Sequence, residues 1–321
     1  MDTFRNLEEI PAGYGPTVIT IGNFDGVHRA HQLVIQQMQQ RARELGARAV
    51  LVNFDPHPNR ILQPEVAFKL ITPTAYKLEL LSKTGLDAVL LLPFSRDLSI
   101  ISSEAFIQLL AKWLRVREFH EGFNFRFGHT AAGDIELLKH MGSEAGFGVR
   151  VYPGMYRNGE LVSSSRIREL LAGGAVGRAR QLLGRPFSIL HTPGRGRGYG
   201  HKYTVPTINL SRYHEAAPQD GVYITRTNVA GECFDSVTNV GNRPTFGDDL
   251  FAIETHLLNF HPIELTPETS VEIIFLQRIR SEIKFPAVEA LREQIARDVR
   301  RARRYFHLLS TISAETRQAP V

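Results

Sequence analysis

The chain has 321 residues, 43% apolar and 22% charged, which is enough for two water-soluble cores. It contains no run of about 18 apolar residues, excluding a transmembrane helix, and its one cysteine, Cys233, excludes an intrachain disulfide framework or thiolate metal cluster. The net charge of +5 favours anionic partners such as nucleic acid or ATP. The N-terminal Met1-Asp2-Thr3-Phe4-Arg5 lacks the apolar run of a signal peptide, so a cytoplasmic protein is expected.

Residues 17–22 read as a buried strand ending at glycine. A helix is expected over 31–45, with Val34, Met38, Ala42 and Leu45 on one side and Gly46 as its stop. Further strands are read at 48–54, 88–92 and 149–152, and helices at 76–84 and 104–113. This alternation, with near-continuous apolar strands, predicts an α/β doubly wound domain with a mostly parallel sheet. The pattern changes after Leu183-Gly184-Arg185-Pro186. Short strands at 221–226, 237–240, 253–260 and 271–276, without helices between them, predict an antiparallel β-barrel. A C-terminal helix follows at about 287–310. Its apolar residues Leu291, Ile295, Val299 and Phe306 recur at helical spacing, and Arg297, Arg300, Arg301, Arg303 and Arg304 read as a solvated basic face. A nucleic-acid partner would need a basic patch with interleaved aromatic residues, and only this helix is dense in arginine, so none is expected. The domain boundary is placed near Pro186, giving domains 1–186 and 187–321. Any self-association is expected to be weak.

The segment Gly22-Asn23-Phe24-Asp25-Gly26-Val27-His28-Arg29-Ala30-His31 joins the first strand to the first helix. Open α/β sheets bind ligands outside the carboxyl ends of their strands, and helix N-termini there attract phosphate. His28 and His31, three apart, share a face in an early helical turn. Aimed at a triphosphate, they could stabilise charge on the α-phosphorus and the leaving pyrophosphate. Two surface histidines, or half a metal site, are the other readings, but no third ligand stands at metal-site spacing. Gly-x-x-x-x-Gly-Lys-Ser/Thr is absent, and Gly-x-Gly-x-x-Gly does not follow the first strand. In Ser163-Ser164-Ser165-Arg166-Ile167-Arg168, hydroxyls and backbone N–H groups before a helix could cradle phosphate, with Arg168 forking onto its oxygens. An ordinary helix cap is the other reading.

The glycine run 194–200 is a basic loop that lets backbone approach phosphate, or simply a loop. Pro206-Thr207-Ile208-Asn209 beyond it reads locally as a proline-led turn into a strand. Alternation at 253–260 could leave Glu254 on the wet face of an edge strand.

Taken in order along the chain, these segments resemble the bacterial bifunctional riboflavin kinase/FAD synthetases. The histidine segment is similar to the His–x–Gly–His motif of nucleotidylyltransferases. Asn53-Phe54-Asp55-Pro56-His57-Pro58, Gly122-Phe123-Asn124-Phe125-Arg126-Phe127-Gly128 and the serine–arginine segment resemble further elements of that half. Pro206-Thr207-Ile208-Asn209, the 239–246 segment, Glu254 and the 278–285 segment resemble the kinase half. The resemblance implies phosphorylation of riboflavin by Mg-ATP to FMN, and transfer of AMP from ATP to FMN with release of pyrophosphate. It assigns His28 and His31 to the transferring phosphate. Gly22, Asn23, Asp25, Ser164 and Arg168 go to the nucleotide, Asn124 and His57 to the flavin, Thr207 and Asn209 to ATP and Mg²⁺, and Glu254 to the role of base.

Some positions depart from the family. Ala30 replaces the glycine between the histidines, where one methyl would crowd adenine or be absorbed by a small shift. In the kinase half His201 replaces an arginine, Thr204 a glycine, and Thr266-Pro267 a Tyr-Gly turn. A β-branched residue is a poor substitute where φ is positive. A transferase with a degenerate kinase half, or a non-catalytic flavin- or nucleotide-binding regulator, are the alternatives.

Overall fold

The computed structural model describes residues 1–194, 207–210, 213–243, 250–261, 263 and 265–318. They divide into two compact units, Met1–Arg166 and Ile167–Val321. The division falls ahead of the Leu183-Gly184-Arg185-Pro186 segment.

The first unit is built on a six-stranded, wholly parallel sheet. Its strands are β1 (Asp2–Phe4), β2 (Thr17–Ile21), β3 (Arg48–Asp55), β4 (Ala88–Pro93), β5 (Val116–Gly122) and β6 (Gly148–Tyr152), in the order β1-β4-β3-β2-β5-β6. Its helices are α1 (Arg29–Glu44), α2 (Pro58–Leu62), α3 (Thr74–Ser82), α4 (Arg96–Ser99), α5 (Ser103–Leu114) and α6 (Ile135–Ala145). Successive side chains of β2 point to opposite faces. Val18 packs in a core with Ile35 and Met38 of α1 and Leu81 of α3. Ile19 and Ile21 join the other core, with Ile107 and Leu110 of α5 and Leu138 of α6. Burial on both faces is why these strands read as continuous apolar runs. A small hairpin, β7 (Tyr156–Arg157) and β8 (Glu160–Leu161), leads to α7 (Ser164–Ala172).

Strand order reverses around β2, whose neighbours are β3 on one side and β5 on the other. The crevice between β2 and β5 is therefore the topological switch point, where such sheets bind ligands. Neither β5 nor α6 is expected from the sequence pattern. Strand β5 was hidden because its sequence, Val-Arg-Glu-Phe-His-Glu-Gly, carries four ionisable residues. Those that are buried have partners. Arg41 of α1 donates to both oxygens of Glu118, from Nε at 2.8 and 3.0 Å and from Nη2 at 2.7 Å. Arg150 adds an ion pair at 3.2 Å. His120, fully buried, lies 3.2 Å from Glu118 Oε2, and its Nδ1 lies 2.7 Å from the Tyr152 hydroxyl. Burial holds its imidazole below the usual range, despite the neighbouring carboxylate.

The second unit begins with the rest of α7 and with α8 (Val176–Leu183), which packs on strands β9 and β14. The strands are β9 (Phe187–His191), β10 (Thr207–Asn209), β11 (Gly221–Val229), β12 (Glu232–Arg243), β13 (Leu250–Leu257) and β14 (Val271–Arg280), in the antiparallel order β10-β13-β12-β11-β14-β9. The sheet curls into a half-barrel, and a bridge between Pro193 and Leu210 joins the ends of its two edge strands. Hydroxyls occupy part of its interior. Thr225 meets Ser236 at 2.8 Å and Thr238 at 2.7 Å, while Thr238 meets Thr255 at 2.9 Å, so these buried polar groups satisfy one another. The C-terminal helix α9 (Val288–Gln318) closes the other face through Ala302 and Phe306 against Val222 and Ile224. Arg280 donates to buried Asp298 at 3.0 and 2.8 Å, which ties α9 to β14. The arginine-rich face is exposed, as the sequence predicts. No helix among the described residues is long and apolar enough to cross a membrane.

Candidate active sites

The first site lies at the carboxyl ends of β2 and β5. Between β2 and α1 the chain turns sharply, with φ of 46° at Phe24, 87° at Gly26 and 40° at Val27. Two of these residues carry side chains that disfavour positive φ, so the loop is strained and must be held from behind. Buried side chains do this. Asn53 Nδ2 donates to the Gly22 carbonyl at 2.6 Å, and Lys77 Nζ to the Asn23 carbonyl at 3.1 Å. The Asp25 carboxylate is buried and accepts the N–H groups of Ile71 and Thr72, both at 3.0 Å. Two carbonyls of the loop are thus pinned by buried side chains.

His28 is the N-cap of α1 and not part of its first turn, as the sequence had suggested. Its Nδ1 accepts the His31 N–H at 3.4 Å, which leaves Nε2 as the protonated nitrogen. The rings of His28 and His31 nonetheless meet, stacked at 3.5 Å, and Phe24 stacks on His31 at 4.4 Å. Ala30 stands in the helical first turn of α1, where alanine has no conformational penalty.

The Ser164 hydroxyl donates to the Asp25 carbonyl at 2.8 Å, across 139 residues of chain. The helix-cap reading of the serine segment is realised by Ser163, which accepts the Arg166 N–H at 3.2 Å, while Ser164 meets the histidine loop. Arg168 lies one turn along α7 from Ser164. Asn124 is exposed on the loop after β5, beside Phe123, which is 52% exposed despite its size. His57 caps α2 by accepting the Asn59 N–H at 3.2 Å, and its ring stacks on Phe68 at 4.2 Å.

The second site lies on one face of the curled sheet. Asn209 of β10 is the register partner of Glu254 on β13, which in turn faces Asn239 on β12. Thr207, two residues from Asn209, shares that face opposite His256. Strand β13 lies inside the sheet, so Glu254 is half-buried between two neighbours instead of standing on a wet edge. The Gly194 N–H donates to the Asn209 carbonyl at 2.8 Å, so the glycine run begins beside this face. His201, Thr204 and the rest of that run lie outside the described residues.

Comparison with known proteins places this chain in a family. A protein-family model for FAD synthetase matches residues 11–166, and one for riboflavin kinase matches residues 183–306. A bifunctional riboflavin kinase/FMN adenylyltransferase of Pseudomonas fluorescens is 34% identical, over 94% of this chain and 97% of its own. This chain belongs to the bifunctional riboflavin kinase/FMN adenylyltransferase family. The Escherichia coli K12 member is 34% identical over 95% of this chain and 96% of its own. The Haemophilus influenzae member is 32% identical over 96% of this chain and all of its own. A crystallised chain from Streptococcus pneumoniae, titled a macrolide-efflux protein, shares the architecture with a TM-score of 0.84 and 26% identity, over 94% of this chain and 98% of that one.

Within this member of the family, sequence reading assigned no role to Lys77, Asn53 or Glu121, the groups that hold the histidine loop and its strand. Their signal is faint: Asn53 is one polar residue in a mostly apolar strand, and Glu121 is one of four ionisable residues in β5. Lys77 is 2% exposed, and burial lowers its amine to about 8, against the opposing pull of Asp25 and Asp55. Between pH about 8 and the ordinary 10.5 the unfolded chain holds this proton and the folded chain does not, so stability rises with pH in that window. Lys77→Met should abolish that rise, read as the melting temperature followed from pH 7 to 10.5. An unchanged profile would show that Lys77 is not responsible.

Proposed function

We propose that the chain makes FAD from riboflavin in two steps, with the transferase in residues 1–186 and the kinase in 187–321. The matched family segments, 11–166 and 183–306, support this division. In the kinase half the ribityl hydroxyl gives its proton to Glu254 as its oxygen attacks the γ-phosphorus of ATP, and ADP leaves. In the transferase half a phosphate oxygen of FMN attacks the α-phosphorus of a second ATP, and the bond to pyrophosphate breaks.

The hydrogen bond from Ser164 to the Asp25 carbonyl carries the transferase reading, because it brings two distant phosphate-type segments into one site. His28 and His31 stabilise charge on the transferring phosphate, with the His28 Nε2–H as a donor. The backbone of Gly22 and Asn23 receives the nucleotide, while Asp25 acts through the loop it anchors. Ser164 and Arg168 hold the triphosphate. Asn124 and His57 bind the flavin, with the exposed ring of Phe123 available for stacking.

Mg²⁺ fits the kinase face. Thr207, Asn209 and Glu254 offer the oxygen donors this ion takes. Among the described residues no group of three His, Cys, Asp or Glu forms a dedicated metal cage, which suits an ion held largely by nucleotide phosphates. When bound it would neutralise charge on the β- and γ-phosphates. The exposed free Cys233 suits a reducing cytoplasm. We expect small-molecule substrates alone, without a nucleic-acid or membrane partner.

The test is to incubate the purified protein with riboflavin, Mg²⁺ and ATP, and separately with FMN, Mg²⁺ and ATP, and to separate the flavins by chromatography. FMN and FAD are expected from riboflavin. FAD from FMN alone would leave only the transferase.

A further inference from the structure

The two sides of β2 are held differently. On the β3 side, backbone pairing runs to the end of the strand, through Ile21 opposite Val52, and the Gly22 N–H still reaches the Val52 carbonyl at 3.0 Å. On the β5 side, backbone pairing stops at Ile19 opposite Phe119. Beyond it the Ile21 N–H donates to a side chain, Glu121 Oε1, at 2.8 Å. The Thr20 hydroxyl is a second partner of that carboxyl. Glu121 is 2% exposed.

The two linked residues occupy equivalent places. Ile21 is the last residue of β2 before Gly22, where the histidine loop begins. Glu121 stands immediately before Gly122, where the loop carrying Asn124 begins. A side chain has thus replaced the sheet ladder where the strands part to form the crevice. We propose that Glu121 is a positioning residue for adenylyl transfer: its carboxyl clamps β2 to β5 at the mouth of the switch point and sets the gap between the phosphate-binding loop and the flavin-binding loop. This rests on the transferase reading above.

The chemistry of the clamp suits a static part. Burial pushes the carboxyl well above the usual carboxylate range, opposed only by the hydrogen bonds from Ile21 and Thr20. The task is to accept the Ile21 N–H, and an amide of the same size keeps an acceptor oxygen in that place. The clamp also sets a distance that catalysis is sensitive to, since a misplacement of about 1 Å between bound reactants costs as much as 10²-fold in rate.

The experiment measures steady-state FAD formation with FMN varied at saturating ATP, and riboflavin phosphorylation by the same preparations, for wild type and for Glu121→Ala, Glu121→Gln and Glu121→Asp. For Glu121→Ala the expected result is a rise in KM for FMN and a fall in kcat, together costing about tenfold or more in kcat/KM, with riboflavin phosphorylation unchanged. Glu121→Gln should restore both parameters to within about twofold, since it keeps the acceptor in place. Should the alanine variant fail to fold, Glu121→Asp carries the test, because it keeps the carboxyl but is one methylene too short for the Ile21 N–H. A raised KM for FMN is expected there. Wild-type parameters in the alanine or aspartate variant would overturn the proposal. So would a glutamine variant as impaired as alanine, which would mean that the ionisable group itself is needed. Absence of FAD formation by the wild-type protein would instead sink the transferase reading, independently of the variants.

Discussion

Replacing His28 with alanine should lower the rate of FAD formation from FMN by about 10²–10³-fold, the usual cost of removing one transition-state donor. Riboflavin phosphorylation by the same protein should be unchanged, since Glu254, Thr207 and Asn209 belong to the other unit. The substitution removes two things at once. One is the ring itself, whose Nε2–H is the proposed donor to the transferring phosphate while Nδ1 accepts the His31 N–H. The other is the N-cap of α1, with a stability cost of about 1 kcal/mol. His28→Asn separates them. Asparagine is a good N-cap, so its melting temperature should return towards wild type, whereas it lacks the ring that stacks at 3.5 Å on His31. Its rate should stay within about tenfold of the alanine variant if the donor matters. Recovery of the rate along with stability would mean that His28 serves only as a cap, and the assigned role would be wrong.

The second large effect is expected at Glu254. Glu254→Gln should lower riboflavin phosphorylation by about 10²–10⁴-fold, the usual contribution of a positioned base, while FAD formation from added FMN continues at the wild-type rate. Glutamine keeps the size and hydrogen-bonding reach of the side chain between Asn209 and Asn239, so the sheet register should be retained. The loss can then be read as loss of the proton acceptor. Flavin chromatography with riboflavin and with FMN as alternative substrates reads both effects in one preparation. Undiminished phosphorylation would remove Glu254 from the chemistry and leave it as one member of a polar face.

Much of the architecture was legible because local pattern and tertiary environment agreed. The strands at 17–22, 48–54 and 88–92 are nearly continuous apolar runs since both sheet faces are covered, and they appear where expected. The helix at 104–113 likewise appears as α5, with Ser102 accepting the Ala105 N–H as its cap. Strand β5 was not legible. Its charges look like a surface loop until Arg41, Arg150 and Tyr152, from α1 and β6, come round to meet them. No window along the chain contains those partners. Glu121 was unreadable for the same reason, since its hydrogen-bond donor is 100 residues away.

The sequence by itself determined the two folds and the family, because these depend on periodicity and on motifs that stay intact along the chain. It also named the two histidines, although their spacing predicted a shared helical face and the structure instead makes one of them a cap. What only the tertiary structure decided is how the site is held. Asn53 and Lys77 pin the strained loop, Ser164 meets Asp25 across 139 residues, and Asn209, Glu254 and Asn239 line up across three strands. These are distances between separate segments, set by the strand order and by the packing of both faces, and the physical reason they escape the sequence is that a hydrogen bond requires two groups to be about 3 Å apart in space, whatever their separation along the chain.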